Sequence, residues 1–388
     1  MIKIVYLSDA RIPSEMASSV SIINLCSAYY DIGVDIDLIK PWRYINKNIK
    51  TKEIHKIYNV KNNINIINTP YIDLSIFEKI LPKLILKPAN YIIKRIWQYY
   101  SVNYILKKFS PDIIHMRNNM PYALNLLSQK KIHILLEFYD EPSKFYIPLY
   151  KKSIKENNKI ILTAITSGLA DRISELFEIN RKSISVSPSG VDKSKFAHHK
   201  LKLNTNKKNI LYVGSLNPNR GIDNLISASK NIKEHNFIIV GGTTKEATNL
   251  KNKFDINKGS NLIFVPHQKQ SELLEYYNNS DILILPMSGD QKHTRLFASP
   301  NKLFEYMASG KPIIASNLPS VCEILKDYNS ALLFQPDDPI DLTKKINELI
   351  NNNELSKKLS SNAMNLAEKY TWQAKASNFI KLIQTNIN

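Results

Sequence analysis

The chain has 388 residues, which at roughly 150 residues per domain predicts two to three domains. Hydrophobic residues make up 43% and charged residues 22%, so a packed core is available and wholesale disorder is excluded. The formal charge of +19 points to nucleic acid, an anionic membrane face or phosphorylated ligands, although only eight of the 53 basic residues are Arg, and a Lys-, Asn- and Ile-rich chain gains such an excess by base-composition drift alone.

Short apolar runs alternate with helical patterns from end to end, as in parallel sheets built of βαβ units. Ile2 to Leu7 reads as the first strand, Ser21 to Tyr30 as its helix and Val34 to Ile39 as the second strand. Strands follow at Ile113 to His115, Ile132 to Glu137, Ile160 to Ala164 and Ser185 to Val191. The polar stretch Asp192 to Asn209 reads as a linker. A second series begins at Ile210 to Val213 and continues with Phe237 to Val240, Leu262 to Val265, Ile282 to Leu285 and Pro312 to Ala315. Helices are expected at about Asp341 to Tyr370 and Trp372 to Gln384. The expected domains are therefore 1–191 and 210–371, joined by 192–209, with the helix at about 372–388 packing back on the first. Two such Rossmann-like halves facing each other would place a ligand cleft at the carboxyl ends of both sheets.

Cys26 and Cys322 are too few and too distant for a disulfide framework or a zinc site, and their apolar neighbours suggest burial. The opening Met1 to Leu7 is too short for a secretory leader and is followed by Asp9 and Arg11. No run of 18 apolar residues spans a membrane. The expected location is the cytoplasm, with association at the inner membrane face left open.

The sharpest chemistry lies in Ser299-Pro300-Asn301-Lys302-Leu303-Phe304-Glu305-Tyr306. Ser299 suits an N-cap and Pro300 the first helical position, so a helix start would offer free amides to an anion. Glu305 would sit where a carboxylate meets vicinal hydroxyls, with Lys302 and Arg295 adding charge. An ordinary capped helix with a solvated Glu fits the same pattern. Gly214-Ser215-Leu216-Asn217-Pro218-Asn219-Arg220-Gly221 follows a buried strand and opens a helix. Its glycines would let backbone approach a ligand, and Arg220 can hold a phosphate through two parallel bonds.

Together these segments resemble the family 4 glycosyltransferases, in the branch with a Ser-Pro-x-Lys-Leu-x-Glu-Tyr motif. The resemblance extends to Ile165 to Leu169, to Val186 to Asp192 with Phe196, to Ser280 to Pro286 and to Pro319 to Ile324. It implies the GT-B architecture, α/β with two Rossmann-like parallel-sheet domains facing a central cleft. It also implies sugar transfer from a nucleotide-diphosphate donor, with retention, to a saccharide or lipid-linked saccharide. On the matching positions, Glu305 would bind the donor ribose. The amides near Pro300, Asn301 and Lys302 would hold the diphosphate, aided by Arg220, with Ser299 also at the substrate, and Pro266 and His267 would flank the base. Gly214, Ser215 and Gly241 would border the same pocket.

Two departures from the family pattern matter for the donor. Phe297 stands where the family has the first Glu of its Glu-x7-Glu pair, leaving the donor sugar unassigned. Ser215 replaces the usual Arg.

In the first half, Arg11 to Ser19 resembles a family loop facing the cleft, and Ser18 and Ser19 would cap the following helix. Glu137-Phe138-Tyr139-Asp140 looks like the family's E-x-H segment, so Glu137 or Asp140 would orient an acceptor hydroxyl or stabilise an oxocarbenium-like sugar. Tyr139 would donate a hydrogen bond, being a poor base at neutral pH. His115, Arg117 and Asn118 would border the cleft. Front-face displacement needs no metal, so none is expected as cofactor. Asp35-Ile36-Asp37 spells a metal motif of a different fold but lies in a predicted strand.

Residues 1–200 carry 30 basic and 17 acidic residues, whereas residues 201–388 carry 23 and 17. Tyr71 to Lys108 interleaves basic with large apolar residues, including Lys79, Leu81, Lys83, Lys87 and Arg95. This suits a helix in an anionic interface, and equally core helices with snorkelling Lys. No basic-aromatic module for nucleic acid appears. The expected role is surface-polysaccharide synthesis. A sugar-nucleotide epimerase and a catalytically silent binding partner are the alternatives.

Overall fold

Parallel strands need a crossover between them, and this chain supplies a helix after almost every strand. The computed structural model describes residues 2–14, 16–44, 51–60, 64–77, 80, 82–196, 207–257 and 259–387. Two units emerge: one of Met1–Ile165, Leu169–Ser187 and Trp372–Asn388, the other of Thr166–Gly168 and Pro188–Thr371.

Unit 1 opens with β1 (Lys3–Leu7), α1 (Ala17–Asp31), β2 (Asp35–Pro41), α2 (Thr51–Ile57), β3 (Asn65–Thr69) and α3 (Lys83–Lys108). Then come β4 (Ile113–Arg117), α4 (Pro121–Gln129), β5 (Ile134–Phe138), α5 (Ile147–Glu156), β6 (Ile160–Ala164), α6 (Ser167–Phe177) and β7 (Ile184–Val186). The seven parallel strands lie in the order β3-β2-β1-β4-β5-β6-β7. β4 and β5 are buried along their whole length, as a strand covered on both faces must be.

Unit 2 comprises β8 (Asn209–Val213), α7 (Ile222–Ser229), β9 (Asn236–Val240), α8 (Thr244–Lys253), β10 (Leu262–Val265), α9 (Gln270–Asn278) and β11 (Ile282–Leu285). It continues with α10 (Asn301–Ala308), β12 (Ile313–Ser316), α11 (Pro319–Cys322), β13 (Leu332–Phe334), α12 (Pro339–Asn351) and α13 (Asn353–Ala367). The sheet order is β10-β9-β8-β11-β12-β13. Alternate residues of β8 feed two cores, Ile210 and Tyr212 on one face, Leu211 and Val213 on the other.

The last helix, α14 (Trp372–Ile387), belongs to unit 1. Its Trp372, Ala376, Phe379 and Ile383 form one buried stripe packed among Ile4, Tyr6, Ile22 and Leu25.

Several sequence expectations change. The helix expected over 341–370 is two helices, because the Asn352 side chain accepts from Leu355 N–H at 2.9 Å and caps a new start. The strand expected over 185–191 is only the three residues of β7, after which Val191 bridges Thr371. Cys26 is buried but Cys322 is partly exposed. Of the stretch read as a linker, residues 197–206 lie outside the described residues, as do Lys79 and Leu81 and the side chain of Lys83.

Phe379→Ala is expected to cost about 3–5 kcal/mol of stability, measured by urea denaturation of the whole chain. A loss below about 1 kcal/mol would mean that α14 does not complete this core.

Candidate active site

Unit 2 reverses its strand order between β8 and β11, and ligands of open α/β sheets bind outside the carboxyl ends at such a point. The loops at this edge are fastened to one another. Gly214 N–H donates to Val240 O at 3.0 Å, and the Tyr212 hydroxyl donates to Ser215 O at 2.8 Å. Gly241, at φ +138°, lies where a Cβ would strike the Gly214 carbonyl. Gly221, at φ +67°, meets the Pro286 carbonyl in the same way. Gly241, expected to border the ligand pocket, thus meets the Gly214 backbone first, and a Cβ on Gly214 would strike the Tyr212 hydroxyl. Beyond β10, Pro266 and His267 are exposed, and His267 N–H donates to Gly242 O at 2.9 Å.

Asp337, which gave no sequence signal, pins the β11 loop to α7. It accepts from Ser288 Oγ at 3.1 Å, Gly289 N–H at 2.9 Å and Asn224 Nδ2 at 3.1 Å. Arg220 ends a 3₁₀ turn, Pro218–Arg220, and is half-buried. Among the described residues its guanidinium has no ion-pair or side-chain hydrogen-bond partner, and neither has that of Arg295. Arg295 sits in a π-helical turn, His293–Phe297, whose Phe297 is a buried core residue.

The helix expected to begin at Pro300 begins one residue later. Pro300 is the N-cap of α10 and supplies no side-chain cap. Ser299 instead accepts from Ser189 N–H through Oγ at 3.0 Å and from Ser189 Oγ through its carbonyl at 2.9 Å. Asn301 is the first helical residue, and α10 is tied to the Gly214 loop because Val213 N–H donates to the Tyr306 hydroxyl at 2.9 Å.

Glu305 is buried rather than solvated. Its carboxylate accepts from Tyr277 Oη at 2.7 Å, Lys302 Nζ at 2.8 Å and Gln270 Nε2 at 3.3 Å. Lys302, expected to face a diphosphate, is therefore paired inside its own helix. Lys195 adds a further cation: burial lowers its pKa against the pull of Asp192 and Glu305. Neither Tyr277, Gln270 nor Lys195 was evident in the sequence.

In unit 1 the expected acceptor groups form a buried charge cluster. Arg117 and Glu137 are register partners on β4 and β5, and Tyr6 pairs with His115 on β1 and β4. Lys375 of α14 reaches Glu137 Oε1 at 2.6 Å and donates to Ser187 O at 2.9 Å. His115 Nε2 lies 3.6 Å from Glu137 Oε2, and Arg117 Nε 3.9 Å from it. Glu137, expected to orient an acceptor hydroxyl, is fully buried and enclosed by Lys375, Arg117 and His115. The Tyr139 ring lies under the Arg117 guanidinium at 3.6 Å and within 5.6 Å of Lys375 Nζ, so it is a cation platform.

Ser18 meets Arg117 through its carbonyl, at 3.2 Å, while Ser21 Oγ accepts from Arg117 at 2.7 Å. Neither Ser18 nor Ser19 caps α1: Met16 is the N-cap without a side-chain bond, and Ser19 Oγ donates to Arg11 O at 2.9 Å. Among the described residues no group of three or more His, Cys, Asp or Glu could hold a metal ion. Asp35 lies 3.8 Å from Lys3 Nζ and Asp37 accepts from Asn65 at 2.6 Å.

Burial alone would raise the Glu137 pKa, but Lys375, then His115 and Arg117, hold it at about 2. Burial lowers His115, so the ring is neutral. With its proton on Nε2 towards the carboxylate, Nδ1 accepts from the Tyr29 hydroxyl at 3.1 Å. Both folded values are depressed, so the unfolded chain binds protons first and stability falls with pH. The His115 contribution fades as pH falls below about 6.5 and that of Glu137 below about 4.5. Lys375→Met is expected to cost about 3–5 kcal/mol at neutral pH. The penalty should shrink at pH near 4, where the abandoned carboxyl protonates. A pH-independent penalty in urea melts would show that Lys375 contributes packing only.

Residues 193–366 match the family model described as glycosyl transferases group 1. An uncharacterized glycosyltransferase of Methanocaldococcus jannaschii is 31% identical over 163 residues, 42% of this chain and 44% of that protein. The O-antigen chain mannosyltransferase RfbU of Salmonella typhimurium is 29% identical over 214 residues, 53% of this chain and 56% of that one. The chain thus spans about half the length of these curated relatives. In three dimensions, Anabaena HepE, solved in complex with UDP, matches with a TM-score of 0.73 at 14% identity, over 99% of this chain and 100% of its own. The fold is therefore GT-B, and residues 193–366 carry the glycosyl transferases group 1 pattern within it.

Proposed function

We propose that the chain is a retaining glycosyltransferase that moves a hexosyl or N-acetylhexosaminyl group from a nucleoside-diphosphate sugar to a saccharide acceptor. The observation that carries this reading is the edge of unit 2, where Arg220, without a side-chain partner among the described residues, and the carboxylate of Glu305 accompany the start of α10 at the β8–β11 switch point. A diphosphate suits Arg220 and the first amides of α10, which offer positive charge without needing a metal. Ribose hydroxyls suit Glu305, whose present donors Lys302 and Gln270 are side chains able to yield. His267 and Pro266, exposed beyond β10, suit the base.

In the reaction the bond between the sugar's C1 and the diphosphate oxygen breaks while the acceptor oxygen bonds C1 from the same face. The acceptor proton passes to the departing diphosphate. The barrier then depends on stabilising that leaving charge, which a preorganised guanidinium and helix amides do well. The resemblance to an O-antigen chain mannosyltransferase supports a role in surface polysaccharide synthesis, and HepE, solved with UDP, supports a nucleoside diphosphate as ligand.

Thermal-shift titration with UDP, GDP, CMP and their sugars should select one nucleotide. Arg220→Ala is expected to weaken that nucleotide about 10- to 100-fold, and Glu305→Ala to abolish transfer. Binding by none of the nucleotides would contradict the proposal, and turnover of the sugar nucleotide without any acceptor would point to an epimerase.

A further inference from the structure

Helix α3 has two unlike faces. One buries Leu86, Trp97, Gln98, Ser101, Val102 and Ile105 against unit 1. The other should be polar in an ordinary surface helix, yet it displays Ile85, Ile92, Ile96 and Tyr100 at helical spacing. Their exposures are 55%, 55%, 62% and 44%. Leu84 is 85% exposed and Ile80, just before the helix, 75%. Phe145, 73% exposed, stands beside Tyr91 with ring centroids 6.5 Å apart and widens the patch. Single exposed apolar residues are commonplace, whereas a contiguous row marks a contact surface.

Charge decides what the contact is. Residues 79–111 contain seven Lys or Arg and no Asp or Glu. Lys87, Arg95, Lys107 and Lys108 are exposed, and the Arg95 guanidinium rests 4.7 Å from the Tyr122 ring. A second copy of the chain would bring the same cations against these, because a two-fold interface pairs a patch with itself. An anionic bilayer answers both features, since apolar side chains enter the headgroup boundary while Lys and Arg meet lipid phosphates. At 26 residues the helix is about 39 Å long, and among the described residues none is long and apolar enough to cross a membrane.

We propose that the outer face of α3, extended by Ile80 and Phe145, docks this chain on an anionic lipid bilayer. The same helix sends Lys94 to Asp9 Oδ2, at 3.4 Å, just beyond β1. Asn119, beyond β4, also donates to Asp9, so α3 borders the point where the unit 1 sheet reverses its strand order. Docking would bring that sheet end to the membrane surface, where a lipid-linked saccharide is presented. This last step rests on the proposed transfer reaction, whereas docking itself does not.

Co-sedimentation of the full chain with vesicles tests the proposal, using equal parts phosphatidylglycerol and phosphatidylcholine against phosphatidylcholine alone. The chain should sediment with the anionic vesicles and be released by high salt. Ile92→Ser with Ile96→Ser should weaken partitioning about tenfold or more, and Lys87→Ala with Arg95→Ala about tenfold with a shallower salt dependence. Both variants should keep the nucleotide-induced thermal shift, which reports unit 2 and separates failed docking from a failed transferase reading. Failure of the unaltered chain to sediment would overturn docking, as would variants that sediment unchanged. So would a dimer in light scattering that Ile92→Ser with Ile96→Ser dissolves, without vesicle binding.

Discussion

A carboxylate buried in the middle of a sheet must be neutralised, and in unit 1 the cation that does so comes from the last helix of the chain. Glu137 is fully enclosed, where an unpaired charge would cost several kcal/mol. Lys375 reaches it when α14 lies along the sheet with Trp372, Ala376, Phe379 and Ile383 seated in the core. Apolar burial supplies the attraction and the ion pair fixes the position along the groove. The chain can therefore leave unit 1 at Ser187, build Pro188–Thr371 of unit 2 and return at Trp372.

The two units use charge in opposite ways. In unit 1, Arg117, Lys375 and His115 surround a single carboxylate and Arg117 lies on Tyr139. In unit 2, Arg220 and Arg295 have no side-chain partner among the described residues, while rigid loops hold the edge around them. Backbone contact through Gly214, Gly221 and Gly241, with Asp337 bridging two loops, supplies that rigidity. Preorganisation of this kind is what stabilisation of a departing diphosphate requires.

The strand and helix order was legible because buried parallel strands are unbroken apolar runs between turn residues. The glycine loop around Arg220 and the helix that carries Glu305 were readable as local patterns. What escaped notice depends on partners distant in sequence. Glu137 looked like an open carboxylate because Lys375 belongs to the final helix. A solvated Glu305 stayed open as an alternative because Tyr277 and Gln270 come from α9. Ser299 looked like a cap because its real partner, Ser189, lies on another segment. Helix α3 was ambiguous as sequence, since apolar residues all round its circumference leave open which of them the fold covers.

The proposed transfer requires a nucleoside diphosphate at the carboxyl edge of the unit 2 sheet. Hydrogen–deuterium exchange of the full chain, with and without the nucleotide that binds best, tests it most directly. Added protection is expected in the loops after β8, β9 and β10 and in the first turn of α10, with the amides of β4 and β5 unchanged. Protection confined to unit 1, or none at a saturating concentration, would contradict it.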